Sequence, residues 1–433
     1  MAKETIYIGL LGFGTVGSGV FQLLQDNSEI IAMKVGRRIE VKRILVSTLE
    51  KPRPASSAFS ILTTDPANIL EDPSIDVVVE VMGGITPSKE YILAALKAGK
   101  TVVTANKDIM ASYGKELFDA SQLHGADILF EASVGGGIPI IHALKESLAG
   151  NRIKSIMGIV NGTTNYILTQ MSREGKDYGQ ALKEAQKLGY AESNPEADVE
   201  GRDAARKLAI LASIGFSSRV TYEQVYAEGI TRVTPEDIAY AHELGYTIKL
   251  LAIAREVEGE IEARVHPVLI PVNHPLASIN DEYNAIFVEG DAVGPAMFYG
   301  KGAGRFPTAS AVVGDIIMAA RDIVHGVKGR ISCTCFNNKR VKAIEEIETK
   351  YYLRLTVTDQ PGVLAGIAGV FGNQKVSLAS VIQKRTRGSL AEIVLVTHKV
   401  CEANIREALR VIEKLPTISS IDNVIRVEEG ENA

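Results

Sequence analysis

A cluster of charged residues lies just before an apolar helical segment near the middle of the chain. Within 188-LGYAESNPEADVEGRDAARKLAIL-211 there are five carboxylates, Glu192, Glu196, Asp198, Glu200 and Asp203. Asp203 and Lys207 are four residues apart, so a helix would place them on one face. Carboxylates can hold a substrate ammonium, and a lysine can transfer a proton. The alternative is a solvated acidic loop with a surface salt bridge worth only about 0.3–0.5 kcal/mol.

A glycine-rich turn follows the first apolar run of the chain. Gly12-x-Gly14-x-x-Gly17 comes directly after 5-TIYIGLL-11 and precedes a helical segment. In a dinucleotide site the first glycine makes the turn, the second admits the pyrophosphate and the third lets the helix approach the strand. The pattern predicts a nicotinamide cofactor, with a ligand-free strand-to-helix turn as the alternative.

The end of the second predicted strand bears on the choice of cofactor. NAD sites usually carry an acidic residue there, whereas this strand ends 45-LVST-48 and Glu50 comes later. Several basic residues lie nearby: Arg37, Arg38, Arg43, Lys51 and Arg53. This composition favours NADP and leaves NAD possible.

The elements that must position these residues follow three different patterns. Residues 5–135 alternate helical segments with short β-branched runs at 5–11, 43–47, 75–81, 101–105 and 127–132. This alternation predicts an α/β, doubly wound parallel sheet. Lys107 follows the fourth run, at the carboxyl edge where such sheets bind ligands.

The middle of the chain predicts an α+β domain. Helices are expected at 139–150, 164–173, 178–188, 202–214 and 235–254, and strands at 152–160, 262–270 and 285–290. The turn 161-NGTTN-165 should cap a helix. A long apolar helix is expected at 307–326, followed by a polar linker at 327–350.

The last part of the chain predicts a small separate domain. From Tyr351 the expected order is strand 352–358, helix 362–373, strands 376–382 and 390–398, helix 402–413 and strand 422–427. This is the ferredoxin-like βαββαβ order.

Composition excludes several classes of protein. The net charge of −5 and the lack of a long basic run argue against nucleic acid and anionic membranes as partners. The apolar runs are too short to span a bilayer, and the N-terminus does not resemble a signal peptide. Three cysteines suit a reducing cytoplasm. Cys333-x-Cys335 would supply only half of a structural zinc site, with no second His/Cys pair nearby.

Taken together, the motifs resemble homoserine dehydrogenase in the form with a C-terminal ACT regulatory domain. They are GFGTVG (12–17), TANK (104–107), EASVGGGIP (131–139), NGTTNYIL (161–168), LGYAE (188–192), GRDAARKLAI (201–210) and GKGAGRFPTASAVVGD (300–315). The resemblance covers essentially the whole chain. It implies a Rossmann-type cofactor domain at 1–135 with 303–326 returning, a catalytic and dimerisation domain at 136–302, the linker, and an ACT domain at 351–433.

The resemblance implies NAD(P)H-dependent interconversion of L-aspartate 4-semialdehyde and L-homoserine, in threonine, methionine and isoleucine biosynthesis. Two alternatives are a phosphorylating semialdehyde dehydrogenase and a non-catalytic protein that binds NADP and an amino acid. The first needs a thiolate nucleophile, and none of the three cysteines is placed for it. The second does not account for the Asp203, Lys207 and Lys107 set.

The resemblance also implies roles for individual residues. Lys207 would donate the proton, Asp203 would hold the substrate, and Lys107 would lie near the reacting carbon. The substrate would also meet Glu192, Gly189 and Asp198. The residues implied to contact the cofactor are Gly12, Phe13, Gly14, Thr15, Val16, Gly17, Arg43, Lys107 and Gly302.

The remaining implications concern a cation, an effector and assembly. A sodium or potassium ion would bind backbone oxygens of Glu131, Val134, Gly136 and Ile138. The ACT domain, through 359-DQPGVLAGIAGVF-371, would bind an amino-acid effector such as threonine. A homodimer or homotetramer is expected, and a chain truncated near Glu345 should stay active while losing its response to threonine.

Overall fold

The computed structural model describes residues 4–50, 56–329 and 333–428, and these fall into two compact units. The first unit comprises the described residues up to Ile156, together with 209–222 and 284–338. The second comprises 157–208, 223–283 and the described residues from Lys339 onward. The charged stretch and the C-terminal region therefore belong to the same unit.

The first unit is built on a parallel sheet, as the alternating pattern predicted. Its strand order is β3-β2-β1-β4-β5-β6. The strands are β1 (Thr5–Leu11), β2 (Arg38–Leu45), β3 (Leu62–Thr63), β4 (Ile75–Glu80), β5 (Thr101–Thr104) and β6 (Ile128–Leu129). The helices between them are α1 (Thr15–Asp26), α2 (Ser28–Val35), α3 (Ala67–Leu70), α4 (Ser88–Lys97) and α5 (Lys107–His124).

The middle of the chain mixes helices and strands. Its strands are β7 (Ile153–Ile159), β8 (Tyr226–Ala227), β9 (Tyr246–Val257), β10 (Glu260–Pro271), β11 (Tyr283–Gly290) and β12 (Gly294–Lys301). Its helices are α6 (Gly162–Glu174), α7 (Tyr178–Lys187), α8 (Glu196–Val199), α9 (Arg202–Gly215), α10 (Pro235–Glu243) and α11 (Arg305–His325). In the first unit, α11 packs beside α1 so closely that a Cβ on Gly19 would lie 2.8 Å from the carbonyl oxygen of Arg305.

The C-terminal region has the predicted βαββαβ order. Its elements are β13 (Glu348–Thr358), α12 (Val363–Asn373), β14 (Leu378–Arg387), β15 (Leu390–Thr397), the short β16 (Val400–Cys401), α13 (Glu402–Ile412) and β17 (Ile418–Val427). These strands continue the sheet of the second unit, whose order is β9-β10-β17-β13-β15-β14. The junction is a parallel pairing of Val268 with Arg426 and of Leu269 with Val427.

The predicted helix at 235–254 is wrong. The helix α10 ends at Glu243, Gly245 has a φ of +81°, and residues 246–257 form strand β9. This strand pairs antiparallel with β10 along its whole length, from Tyr246↔Pro271 to Val257↔Glu260. Because residues 248–254 are all buried, the apolar run shows no alternation that would distinguish a strand from a buried helix.

The structure differs from the predicted elements in three smaller ways. The helix expected at 139–150 is limited to a short π-helical turn at Ala143–Ser147 with two preceding helical residues. The linker expected at 327–350 contains the turn Ile344–Glu346 and the first residues of β13. Strand β12 was not predicted. None of the described helices has the length and apolar character needed to cross a bilayer.

Candidate active site

Lys207 lies in the second turn of α9, where its ammonium is held by two acceptors. Its Nζ donates to Asp203 Oδ2 at 2.7 Å and to the carbonyl oxygen of Val160 at 2.7 Å. The side chains of Lys207 and Asp203 are only 13% and 11% exposed, so this pair is not the solvated surface salt bridge of the alternative interpretation. An ammonium has three donors, and these two bonds leave one directed elsewhere.

Asn161 joins two aspartates of the charged stretch, the buried Asp203 and the partly buried Asp198. Its Nδ2 donates to Asp198 Oδ1 at 2.7 Å and to Asp203 Oδ2 at 2.9 Å. Its Oδ1 accepts from the backbone N–H of Thr164 at 2.9 Å, which confirms the predicted cap at the start of α6. The cap was visible in the sequence, but its second role was not, because the two aspartates lie 37 and 42 residues away.

The environment of Asp198 disfavours additional negative charge. Burial and the neighbouring Asp203 carboxylate raise the pKa of Asp198, while hydrogen bonds from Asn161 and Thr163 and the charge of Lys207 oppose the rise. Two close carboxylates balanced by one ammonium leave an excess of negative charge. A bound cation, such as a substrate ammonium, would relieve it.

The turn after α7 brings Gly189 toward the start of α6. Gly189 has a φ of +79°, which favours glycine at this position. The carbonyl oxygen of the next residue, Tyr190, accepts from Thr163 Oγ1 at 2.6 Å, and the Tyr190 ring lies 4.8 Å from that of Tyr166. Glu192 closes the same turn with its side chain exposed, so the described contacts do not place its carboxylate in the Asp198–Asp203 cluster.

The glycine turn of the first unit has the geometry that its spacing predicted. Gly12 adopts a φ of +103°, and its N–H donates to the carbonyl oxygen of Leu45 at 3.1 Å. A Cβ on Gly17 would lie 2.2 Å from the carbonyl oxygen of Gly12, so only glycine lets α1 begin this close to β1. At Gly14 a Cβ would meet nothing within 4 Å, which leaves the turn open on the side where a pyrophosphate would lie.

The other residues predicted to contact the cofactor do not share one environment. The Phe13 ring is buried and packs edge-on against Phe21 at 5.7 Å, so only its backbone is positioned for a ligand. Thr15 is exposed at the start of α1, and Val16 packs against the core. Arg43 lies within β2 and donates to the carbonyl oxygen of Lys42 at 3.0 Å. Lys51 and Arg53 lie outside the described residues.

A buried carboxylate orders the carboxyl edge of the parallel sheet. Glu80, fully buried at the end of β4, accepts from the N–H of Met82 at 2.9 Å and from Thr104 Oγ1 at 2.7 Å. Asn106 caps α5 and donates to the carbonyl oxygen of Gly84 at 2.7 Å. These contacts, which the sequence did not reveal, fix the start of α5, where the partly buried Lys107 is the first residue.

The glycine-rich loop at 131–139 is a turn anchored by carboxylates. Gly135 and Gly136 have positive φ, and the Glu131 carboxylate accepts from the N–H groups of Ile141 and His142 at 2.8 and 2.7 Å. The N–H of Glu131 donates to the buried Asp315 at 2.9 Å. Burial raises the pKa of both Glu131 and Asp315. The His142 imidazole lies beside both carboxylates, with its Nε2 2.7 Å from Asp315 Oδ1 and 3.5 Å from Glu131 Oε2.

Gly302 lies directly against the same turn. A Cβ on Gly136 would lie 2.4 Å from the carbonyl oxygen of Gly302, and the N–H of Gly137 donates to the carbonyl oxygen of Lys301 at 3.1 Å. The amide of Asn284 packs on Gly302 so tightly that a Cβ there would come within 1.9 Å of it. The structure thus brings Gly136 and Gly302, two residues predicted for different ligands, into contact.

The chain matches three family models in the expected order. They are described as "Homoserine dehydrogenase, NAD binding domain" over residues 12–131, "Homoserine dehydrogenase" over 139–317 and "ACT domain" over 351–417. A homoserine dehydrogenase from Synechocystis sp. is 49% identical over 432 residues, covering 98% of this chain and 99% of that protein.

Solved structures show the same likeness. A homoserine dehydrogenase from Thiobacillus denitrificans has a TM-score of 0.93 and 44% identity, covering 98% of both chains. A hyperthermophilic archaeal homoserine dehydrogenase in complex with NADPH has a TM-score of 0.62 and 29% identity, covering 73% of this chain and 97% of that one. These matches favour neither the phosphorylating dehydrogenase nor the non-catalytic protein. The chain belongs to the homoserine dehydrogenase family, in the form that carries a C-terminal ACT domain.

Proposed function

We propose that this chain interconverts L-aspartate 4-semialdehyde and L-homoserine, with Lys207 as the proton donor to the carbonyl oxygen. The observation that carries the proposal is the largely buried Lys207 side chain, whose ammonium donates to Asp203 and to the carbonyl oxygen of Val160 and has a third N–H to donate. A reduced nicotinamide supplies a hydride to the aldehyde carbon. The proton that the oxygen then needs comes from Lys207, and in the reverse direction Lys207 takes it back.

The carboxylates beside Lys207 have two tasks in this proposal. Asp203 orients the lysine, because its carboxylate lies 2.7 Å from Nζ. Asp198 and Asp203 together supply the negative potential that attracts the substrate ammonium. Gly189 and Glu192, in the turn tied to α6 through Thr163, complete the substrate side.

Replacing Glu192 by glutamine should raise the KM for homoserine with a smaller effect on kcat. The amide keeps the shape of the side chain but loses a charge-assisted hydrogen bond, worth about 1.5–3 kcal/mol. Glu196→Gln is the matched control, because Glu196 is also exposed and pairs with Arg202 at 3.0 Å. An unchanged KM in the Glu192 variant would remove this residue from the site.

NADPH should be used in preference to NADH. Two observations support this expectation. A related archaeal homoserine dehydrogenase was solved in complex with NADPH, and no acidic residue stands at the end of β2 in this chain. The measurement is the ratio of kcat/KM for the two cofactors. Arg43→Gln should lower that ratio, whereas Arg38→Gln, an exposed residue at the opposite end of β2, should not. A preference for NADH would mean that Glu50 reaches the ribose.

A monovalent cation, sodium or potassium, fits the turn at 131–138. The proposed ligands are the backbone oxygens of Glu131, Val134, Gly136 and Ile138, with the positive φ of Gly136 turning the chain there. The buried Glu131 and Asp315 carboxylates lie beside this turn, where they accept backbone N–H groups and contact the His142 imidazole. The ion would order the turn against Gly302 and take no part in proton transfer.

The ACT domain is proposed to bind an amino-acid effector at the start of α12. A cavity of about 420 Å³ is lined there by Thr358, Asp359, Gln360, Gly362, Leu364 and Gln383. Gly362 has a φ of +92°, and the free N–H groups of the following helix can meet a carboxylate. Edge-to-edge pairing of such domains supports a homodimer or homotetramer.

Buried ion pairs connect the ACT domain to the substrate side of the second unit. Arg426 of β17 donates to Glu402 at 2.6 Å and to Glu228 at 2.8 Å. Two residues after Glu228, the N–H of Ile230 donates to the carbonyl oxygen of Val199 at 2.9 Å. Val199 is next to Asp198 in the chain. A movement of Arg426 would therefore reach the proposed site through Glu228, Ile230 and Val199.

Threonine at up to millimolar concentration should lower the activity of the full-length enzyme. The measurement is the initial rate with each aspartate-family amino acid added in turn. Gln360→Ala, at the proposed cavity, should weaken the response, whereas Gln374→Ala, at a partly exposed position at the far end of α12, should not. An enzyme that responds to none of these amino acids would mean that the ACT domain is structural here.

A further inference from the structure

Two cysteines outside the proposed active site lie side by side in the first unit. Cys333 and Cys335 are two residues apart in the chain, line the same small cavity, and are both partly exposed. Among the described residues, no group of three or more His, Cys, Asp or Glu side chains could hold a metal ion.

The surroundings of the pair carry positive charge. Lys145 and Arg219 line the same small cavity as the two thiols. The Lys145 ammonium lies over two rings, 5.1 Å from the centre of Phe118 and 5.4 Å from that of Phe130. Burial lowers the pKa of Lys145, and the two thiols are the leading groups that oppose this change. The pair therefore shares its cavity with a lysine whose ammonium is largely shielded from solvent.

The two thiols are not equivalent. The Cys335 thiol donates its hydrogen to the carbonyl oxygen of Ser213 at 3.7 Å. Because a carbonyl cannot donate, Cys335 keeps its hydrogen and Cys333 loses its own first. The hydrogen bond from Cys335, aided by Arg219 and Lys145, lowers the pKa of Cys333 to about 6, whereas the pKa of Cys335 is raised.

We propose that Cys333 and Cys335 form a peroxide-reactive pair that closes to an intrachain disulfide. The cavity at the pair has a volume of about 30 Å³, enough for roughly one water-sized molecule, which suits a small hydroperoxide. A positively charged, partly exposed thiolate beside a second thiol is the arrangement in which oxidation is fast and reversible.

The reaction has two balanced steps. The Cys333 thiolate attacks one peroxide oxygen; an S–O bond forms, the O–O bond breaks, and the leaving alkoxide or hydroxide takes up a proton. The sulfur loses two electrons to the peroxide and becomes a sulfenic acid. Cys335 then attacks that sulfur, the S–S bond forms, and the hydroxyl leaves as water with the Cys335 proton.

Full-length enzyme treated with a small excess of hydrogen peroxide tests the proposal. We expect the intact mass to fall by two hydrogens, peptide mapping to show Cys333 linked to Cys335, and a thiol reductant to reverse both changes. In Cys335→Ser, dimedone should trap a sulfenic acid at Cys333, and in Cys333→Ser neither product should form. Lys145→Met should slow the reaction up to about tenfold for each unit by which the thiol pKa rises, whereas the exposed Lys115→Met should not.

Cys401 provides an internal control in the same chain. It is also partly exposed, and its thiol donates to the carbonyl oxygen of Glu345 at 2.9 Å. The rate of iodoacetamide alkylation of Cys333 in the wild-type protein should reach its half-maximum near pH 6, independently of any variant. Peroxide modification of Cys401 at the same rate as Cys333, or no linkage between Cys333 and Cys335, would overturn the proposal.

Discussion

Replacing Lys207 by methionine should lower kcat by roughly 10²–10⁴-fold, the usual cost of losing a general acid. Methionine keeps much of the length of the side chain and removes the ammonium that Asp203 and Val160 hold. The oxygen of the reacting carbonyl would then have to take its proton from water. The loss should appear in kcat more than in KM, because proton transfer belongs to the transition state.

Two controls separate catalysis from damage to the fold. Lys187→Met removes an exposed lysine at the end of α7 and should leave kcat unchanged. Binding of NADPH to the Lys207 variant should persist, because the glycine turn lies in the other unit of the chain. A Lys207 variant with nearly wild-type kcat would mean that the lysine is only the salt-bridge partner of Asp203.

Removal of the chain after Glu345 should unfold or aggregate the second unit. The sequence alone suggested an active truncated enzyme, and the structure argues against it. Arg264 of β10 is fully buried, and its guanidinium bonds at 2.6 Å to Glu428, beyond the cut. The truncation also leaves the edge of β10 without its partner β17.

The same cut exposes a second buried charge. Asp237 is fully buried and accepts from Arg354 at 2.8 Å and from Asn423 at 2.6 Å, both in the part removed. Breaking one buried pair costs about 3–5 kcal/mol. Two such losses are comparable to the whole free energy of unfolding of a typical domain, about 5–15 kcal/mol.

Thermal unfolding of full-length and truncated chains measures this effect. A graded version uses single substitutions: Arg354→Met should lower Tm strongly, whereas Arg410→Met, whose exposed pair with Glu407 spans 3.3 Å, should not. A truncated chain with cooperative unfolding, an unchanged Tm and full activity would show that the ACT domain is an independent module.

The sequence was most informative where the local pattern determines the structure. The glycine spacing at 12–17 predicted a strand-to-helix turn with specific steric roles for Gly12 and Gly17, and the βαββαβ order followed from short, well-separated elements. The helix expected at 235–254 failed because a strand buried on both faces has no alternation. Its partner β10 and the turn at Gly245 decide its conformation, and pairing of this kind is not visible in a local window.

In the candidate site, too, contacts within one helix were predictable and contacts between distant segments were not. Asp203 and Lys207 were recognisable because four residues on a helix bring them together. Asn161, which bridges Asp198 and Asp203, and Glu80, which ties the ends of β4 and β5, act across distances of more than 20 residues in the chain. Contacts of that separation depend on the tertiary fold, so residue types and spacing alone do not predict them.

Transfer of deuterium from labelled NADPH tests the central claim most directly. The wild-type enzyme is given L-aspartate 4-semialdehyde and NADPH carrying deuterium at the transferred position of the nicotinamide, and the product is analysed by mass spectrometry. Homoserine with one deuterium on its carbinol carbon, formed in step with NADPH oxidation and almost absent with the Lys207→Met variant, is the predicted result. No semialdehyde-dependent oxidation of NADPH by the wild-type enzyme, or unlabelled homoserine as the product, would contradict it.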